Sequence, residues 1–350
     1  MAARAQSLAV SPEFFPHALD VRGDRVGFVR LSEAQFREAS FLDQRVSRSG
    51  GLPEVLPVAE VEAAAESAGL EERCHFIFHI GHVGSTLMSR LIGEFPGAFS
   101  LREPLILRTL AQIQSEAATA PELWIGENFE RRTGAFLKLW SRTFRPEDRA
   151  IIKATSFVSE FAAVLLARAS KPRALLMFVQ PERYLATILG GENAPNEAKS
   201  LAPSRWQRLK NRLDADIGRL EPMSIGEIVA MSWAAEMTAL VAARKQAGER
   251  ATFLDFDAFL SNPHASLSQA IRHLDLAASS GQVSSVVTGP HMRRYSKAPE
   301  HAYDAALRQA VLDQAVATSG DEIKRGRSWL ERLAGTNPIV AEAMAVTADR

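Results

Sequence analysis

The chain contains a single cysteine, Cys74, among 350 residues. One thiol excludes an internal disulfide framework and suits a reducing compartment. Net charge is also lacking, since 41 Lys+Arg stand against 41 Asp+Glu. That balance provides no long-range field for nucleic acid, so any anion site has to be local. No stretch reads as the ~18 apolar residues of a membrane span, and the N-terminus has no apolar h-region. Internal repeats and low-complexity tracts are absent as well. These absences point to a cytoplasmic globular protein that needs neither membrane nor nucleic acid. With 46% hydrophobic residues the chain can bury a large core.

What is present is an alternation of short apolar runs and helical patterns. Near the N-terminus an extended piece, Arg25–Leu31, leads into a helix from Ser32, with Gln35 at the capping-box position. Ser47–Pro53 (SRSGGLP) reads as a turn or linker, and Val58–Ala68 as an alanine-rich helix closed by Gly69. Strands are expected at Phe76–Ile80, Phe99–Leu101, Ala150–Lys153, Ala174–Val179 and Thr252–Phe256. Helices are expected near 87–95, 104–118, 128–143, 156–169, 183–190 and 225–247. Ser224 and Glu227 form a capping-box pair for the last of these, and Asn262-Pro263 opens a further helix. The pattern implies a three-layer α/β fold, with a central, mostly parallel five-stranded sheet flanked by helices. Ligands of such sheets bind at the carboxyl ends of the strands.

The stretch HFIFHIGHVGSTLMSRLIGEF (His75–Phe95) carries the chemistry. A strand, a turn of Gly81-His82-Val83-Gly84, and a helix from Ser85-Thr86 bring backbone N–H groups to a helix start, where anions bind well. A nucleotide-triphosphate loop needs four residues between its glycines, then lysine and a metal-binding hydroxyl. Here only His82 and Val83 separate the glycines, and no lysine follows. His75, His79 and His82 do not suggest a metal site, because no acidic or cysteine ligand is close in sequence. His79 reads as a buried strand-end histidine, Trp206 and Trp233 as core or lid residues, and Cys74 as an unreactive thiol.

The short loop ending Gly84-Ser85-Thr86 resembles that of the sulfotransferases, P-loop-like α/β enzymes that use 3′-phosphoadenylyl sulfate as donor. Four further blocks resemble the family in order and spacing: Leu101-Arg102-Glu103-Pro104, Ile152-Lys153-Ala154-Thr155, Ala174 through Arg183 with Thr187, and Phe253 through Asp257 with Asn262-Pro263. They span residues 75–275. The resemblance implies an N-terminal extension over 1–70 packing on the core, a sulfotransferase-like domain over 71–335, and a fraying C-terminal tail over 336–350.

It also implies roles. Gly81, His82, Val83, Gly84, Ser85 and Thr86 would hold the phosphosulfate, with His82 at the position where the family carries a basic residue. Lys153 would stabilise the leaving group, and Glu103 would accept the acceptor's proton. Glu103 is equally well read as a charge at a helix start. Aligning Pro181 with the family's proline puts Val179 where an arginine is usual and Thr187 on the serine. Arg183 and Thr187, with Arg294 and Lys297 from a late basic cluster, would then serve the 3′-phosphate. No metal is expected, the acceptor would be a small molecule or glycan, and oligomeric state is open. Two alternatives stand beside this. One is an Mg-ATP phosphotransferase using Asp255 or Asp257 for the metal, and the other is a non-catalytic binding protein of the same fold.

Overall fold

The computed structural model describes residues 2–46, 54–296 and 305–348. The linker expected at Ser47–Pro53 lies outside them. The N-terminal segment is richer in structure than its sequence pattern suggests. Strands β1 (Phe14–Asp20), β2 (Arg25–Arg30) and β3 (Glu54–Pro57) pair antiparallel in the order β1-β2-β3. Only β2 was legible, because prolines at 16 and 57 lower the strand signal of its neighbours. Pro16 sits on an edge strand at a register shift, where a missing N–H does no harm. The helix Glu33–Glu38 begins with the expected Ser32/Gln35 capping box.

The main sheet consists of β4 (Cys74–His79), β5 (Ala98–Arg102), β6 (Arg149–Lys153), β7 (Ala174–Phe178) and β8 (Ala251–Asp255). All neighbours pair parallel, in the order β5-β6-β4-β7-β8. This is the expected α/β layer with helices on both faces, and each strand agrees with its predicted run to within two residues. Phe76, Ile77 and Phe78 of the central β4 are 0% exposed. Full burial of such a side chain contributes about 1.5–3 kcal/mol, which is why this run is apolar on both faces. After β4 the chain crosses over β6 to form β5, whereas β7 and β8 lie on the other side of β4. The connections therefore diverge beside β4, and the crevice of an open α/β sheet forms at such a switch.

Helix Ile225–Ala247 matches its predicted bounds and starts with the Ser224/Glu227 capping box. The stretch Ile225–Arg250 is long and apolar enough to cross a membrane, contrary to the expectation that no run would be. However, 78% of its apolar window is buried in the fold, so it is the core helix behind the sheet. Trp233 is fully buried there and donates its indole N–H to Val179 O at 3.1 Å. The helix expected over 156–169 divides into a 3-10 turn, Ser156–Phe161, and a short helix, Ala162–Leu166. Residues after Gly335, expected to fray, instead form the helix Pro338–Ala348, with Val340 and Ala343 buried.

Arginines tie the N-terminal segment to this core. Arg142 donates to the carbonyls of Leu8, Ala9, Ser11 and Phe14 at 2.5–3.1 Å. Arg102 reaches the carbonyls of Ala39, Phe36 and Arg37 at 2.6–2.9 Å. Leu42 N–H also donates to Arg102 O at 2.6 Å, which holds Phe41 over the carboxyl end of the sheet.

Candidate active site

The turn after β4 is built from left-handed backbone. Gly81, His82 and Gly84 take φ of 88°, 55° and 66°. Gly84 is required twice over: its φ is unfavourable for other residues, and a Cβ there would lie 2.1 Å from the Phe256 ring. His79 organises the entry to the turn. Its Nδ1 accepts from Gly81 N–H at 3.0 Å, so Nε2 carries the proton and donates to Ala154 O at 2.8 Å. This is the satisfied strand-end histidine expected from sequence. The following helix, Ser85–Ile92, starts at Gly84 with no side-chain cap. Its first N–H groups thus face the cleft without intrahelical partners. Thr86 Oγ1 is buried beside them with no hydrogen-bond partner. Unpartnered N–H groups at a helix start are the arrangement that suits an anion. His82 stands at the lip of the turn, one-third exposed, with Nε2 3.8 Å from Glu197.

The two other catalytic candidates meet. Lys153 ends β6 at 1% exposure, and its ammonium pairs directly with the Glu103 carboxylate. The Phe41 ring lies 5.5 Å from Lys153 Nζ, so the pair is covered by the N-terminal segment. Glu103 itself takes φ 56°, and its N–H donates to Lys153 O at 2.7 Å. Left-handed backbone at a non-glycine residue costs on the order of 1 kcal/mol, and both His82 and Glu103 carry it. Glu103 also stands directly before Pro104, the cap residue of the helix Leu105–Ser115, while its carboxylate pairs with Lys153.

The residues named for the 3′-phosphate are divided. Thr187 lines the cleft, although its hydroxyl donates to Arg183 O at 2.7 Å. Arg183 points elsewhere, to Gln309 at 3.2 Å and Asp257 at 3.9 Å, and is not among the residues lining the cleft. Arg294 lines the cleft, and Lys297 lies outside the described residues. Val179 is fully buried. Arg308, from the helix Ala305–Thr336, enters this region instead, ion-paired to Asp257 at 2.5 Å and 5.3 Å from the Phe256 ring.

The glycine turn, the Glu103–Lys153 pair, Thr187, Arg294 and Arg308 border a cleft of about 640 Å³, which also collects Phe157, Tyr184 and residues of the helix Ala194–Leu213. Its lining has six arginines and lysines (Arg108, Lys153, Arg205, Arg208, Arg294, Arg308) against four glutamates (Glu103, Glu116, Glu197, Glu236). Asp257 and Glu160, just outside the lining, pair with Arg308 and Arg208.

No family model and no curated protein matches the chain. Among solved structures it is similar to a sulfotransferase domain from the curacin biosynthetic pathway, with TM-score 0.41 and 14% identity over 76% of this chain and 98% of that one. It is similar to sulfotransferase STF9 from Mycobacterium avium (TM-score 0.39, 11% identity, 73% and 79% covered). Mouse sulfotransferase SULT7A1, solved with PAP, gives TM-score 0.40 and 11% identity over 80% and 91%. Both measures are low, so the chain's own side chains have to carry the functional reading.

Several cleft residues were not legible in the sequence. Phe41 arrives from the N-terminal segment, and Arg108 from the helix Leu105–Ser115. Arg205, Arg208 and Glu236 come from two helices packed side by side. A surplus of arginine at 205, 208 and 212, spaced along one helix face, was the available signal. Cys74 is buried, and burial pushes its thiol up to about 12, leaving no reactive thiolate.

Proposed function

We propose that the protein transfers a sulfuryl group from 3′-phosphoadenylyl sulfate to a hydroxyl or amine of an acceptor. The observation that carries this is the meeting of an uncapped helix start with the Glu103–Lys153 pair in one arginine-lined cleft. The sequence blocks resembling sulfotransferases supply these same residues. The donor fits at its phosphosulfate end, where Thr86 Oγ1 and the first-turn N–H groups have no protein partners. The fit at the 3′-phosphate rests on Thr187, Arg294 and Arg308 rather than on the position of Val179.

The acceptor oxygen or nitrogen attacks sulfur in line, the bond from sulfur to the bridging phosphate oxygen breaks, and adenosine 3′,5′-bisphosphate leaves. Glu103 takes the acceptor's proton. The Glu103 carboxylate is held by the buried Lys153 ammonium in the resting site. As charge builds on the leaving oxygen, Lys153 gains a further partner and Glu103 is released to accept the proton. Proton uptake and leaving-group stabilisation are thereby coupled through one ion pair. His82 lends a donor, and as imidazolium a charge, to the transferring group. No step calls for a metal, since positioning and charge stabilisation supply the catalysis.

The phosphotransferase alternative is disfavoured by its own candidate ligands. Asp255 caps the helix Phe256–Ser261, accepting from Asp257 N–H at 2.8 Å, and Asp257 is ion-paired to Arg308. The non-catalytic reading is favoured by one observation, the buried Val179 in place of a basic residue. Calorimetric titration with adenosine 3′,5′-bisphosphate and, separately, Mg-ATP decides among the three. Bisphosphate binding together with transfer of labelled sulfate supports the proposal. Binding of Mg-ATP alone favours phosphotransfer, and bisphosphate binding without transfer to any acceptor in a broad panel favours the binding protein.

A further inference from the structure

The inner wall of the cleft buries an arginine whose donors are not all answered. Helix Ala194–Leu213 contributes Arg205 and Arg208 to this wall and Arg212 beyond the lining; Glu236 and Glu160 pair with them, and Glu197 acts on Arg205 as well. Arg205 and Arg208, 8% and 7% exposed, share a single oxygen, Oε1 of Glu236, at 3.1 and 3.0 Å. Nε and Nη1 of Arg208 are buried without a hydrogen-bond partner, Nη1 lying 3.6 Å from Glu160. Tyr184 also lines the cleft, but burial pushes its phenol up to about 12, so it adds no negative charge at neutral pH. A guanidinium removed from water without its full set of acceptors is unfavourable. The two unanswered donors of Arg208 leave this wall able to take a further anion.

The surrounding surface says what kind of molecule brings that anion. The guanidinium of Arg208 lies 5.0 Å from the Phe157 ring, and that of Arg108, exposed at the rim, lies 5.8 Å from the same ring. Leu201, Val229 and Leu260 line the adjoining wall. The combination suits an apolar or aromatic body that ends in an anionic oxygen group. We propose that this wall recognises the acceptor substrate through a carboxylate or phosphate held by Arg208 and Arg108, with the hydroxyl or amine to be sulfated directed at the Glu103–Lys153 pair. The term acceptor rests on the sulfotransferase proposal, whereas the anion site itself does not.

The test uses the full chain saturated with adenosine 3′,5′-bisphosphate, so that donor-site anions are already in place. Benzoate, phenyl phosphate and the neutral benzamide are titrated as probes, the first two separating carboxylate from phosphate. At least one anion is expected to bind about tenfold more tightly than benzamide. Arg208→Gln and the surface variant Arg108→Gln each remove most of that preference. Glu236→Gln strengthens it, because it takes away the competing carboxylate while leaving both arginines, an effect that a purely structural role for the cluster does not produce. Equal binding of anions and benzamide to the wild type overturns the proposal. So does a preference that survives in Arg108→Gln and Arg208→Gln. Loss of bisphosphate affinity in Arg208→Gln with unchanged probe binding also overturns it, by assigning the wall to the donor. If the wild type does not bind the bisphosphate at all, the sulfotransferase reading fails, and the same probe series on the unliganded chain still decides the anion site.

Discussion

Two sets of buried arginines hold this protein together, and they are held in different ways. Arg142 and Arg102 lie on backbone carbonyls of the N-terminal segment, with no carboxylate among the hydrogen-bond partners of either. Burial pushes both guanidinium groups down to about 9, with Arg90 and Arg37 adding repulsion at Arg102. Arg205 and Arg208 instead share a glutamate and keep a face on the cleft. Fixed carbonyl dipoles satisfy a cation with no room for exchange, so the first set ties elements together. A shared carboxylate leaves donors over, so the second set is able to take a ligand.

The largest expected effect lies on the carbonyl-bound side. Arg142→Ala leaves its carbonyl partners, from Leu8 to Phe14, without their donor, and about 4 kcal/mol of stability should be lost, measured by urea unfolding. A loss below about 1 kcal/mol would erase the contrast between the two sets.

A second backbone-held group tests the same idea by pH. His75 Nδ1 lies 3.1 Å from both Arg173 N and Cys74 O, and burial favours the neutral ring in the fold. Burial, and secondarily the nearby Arg149, pushes it down to about 4 from its ordinary 6.5. The unfolded chain therefore binds the extra proton between these values. The stabilisation is present above about pH 6.5 and is lost as pH falls toward 4, by about 3 kcal/mol. His17 and His273 shift the same way, chiefly through burial. Replacing His75 with Gln should flatten the acid limb of a stability–pH curve, and an unchanged limb would assign the effect to other groups.

On the cleft side the effects should move to activity. Glu103→Gln is expected to lower the transfer rate about 10²-fold while bisphosphate affinity stays within about twofold. A parallel fall in affinity would make the Glu103–Lys153 pair part of donor binding instead. His82→Ala should weaken the bisphosphate about tenfold, near 1.4 kcal/mol, and a wild-type affinity would remove it from the site. Arg108→Gln, at the exposed rim, should change stability by no more than about 0.5 kcal/mol. A larger melting shift would show that cleft arginines also carry the fold.

Much of the frame was legible because periodicity and local chemistry act over short distances. The five parallel strands were visible as apolar runs, and the helix starts at Ser32, Ser224 and Asn262 as capping signals. The antiparallel strands β1 and β3 were not, since prolines mask a pattern that only pairing with β2 completes. At the site, the glycine turn could be read directly, because the strand–turn–helix order dictates where its N–H groups go. The meeting of Glu103 with Lys153 could not, since the two residues come from different strands and touch through the β5–β6 register. Arg183 illustrates the limit from the other side: sequence spacing puts it one turn into the right helix, and packing against Asp257 and Gln309 directs it out of the cleft.

The sequence by itself determined the strand–helix alternation, the glycine turn that opens a helix, and the histidine within that turn. Each depends on residues within one turn or one strand of each other. Tertiary structure alone decided that Phe41 covers Lys153, that Glu103 is its partner, and that Arg205 and Arg208 share one carboxylate oxygen on the cleft wall. Charge complementarity in a cleft depends on distances between elements far apart in the chain, and only the packed sheet and helices set those distances.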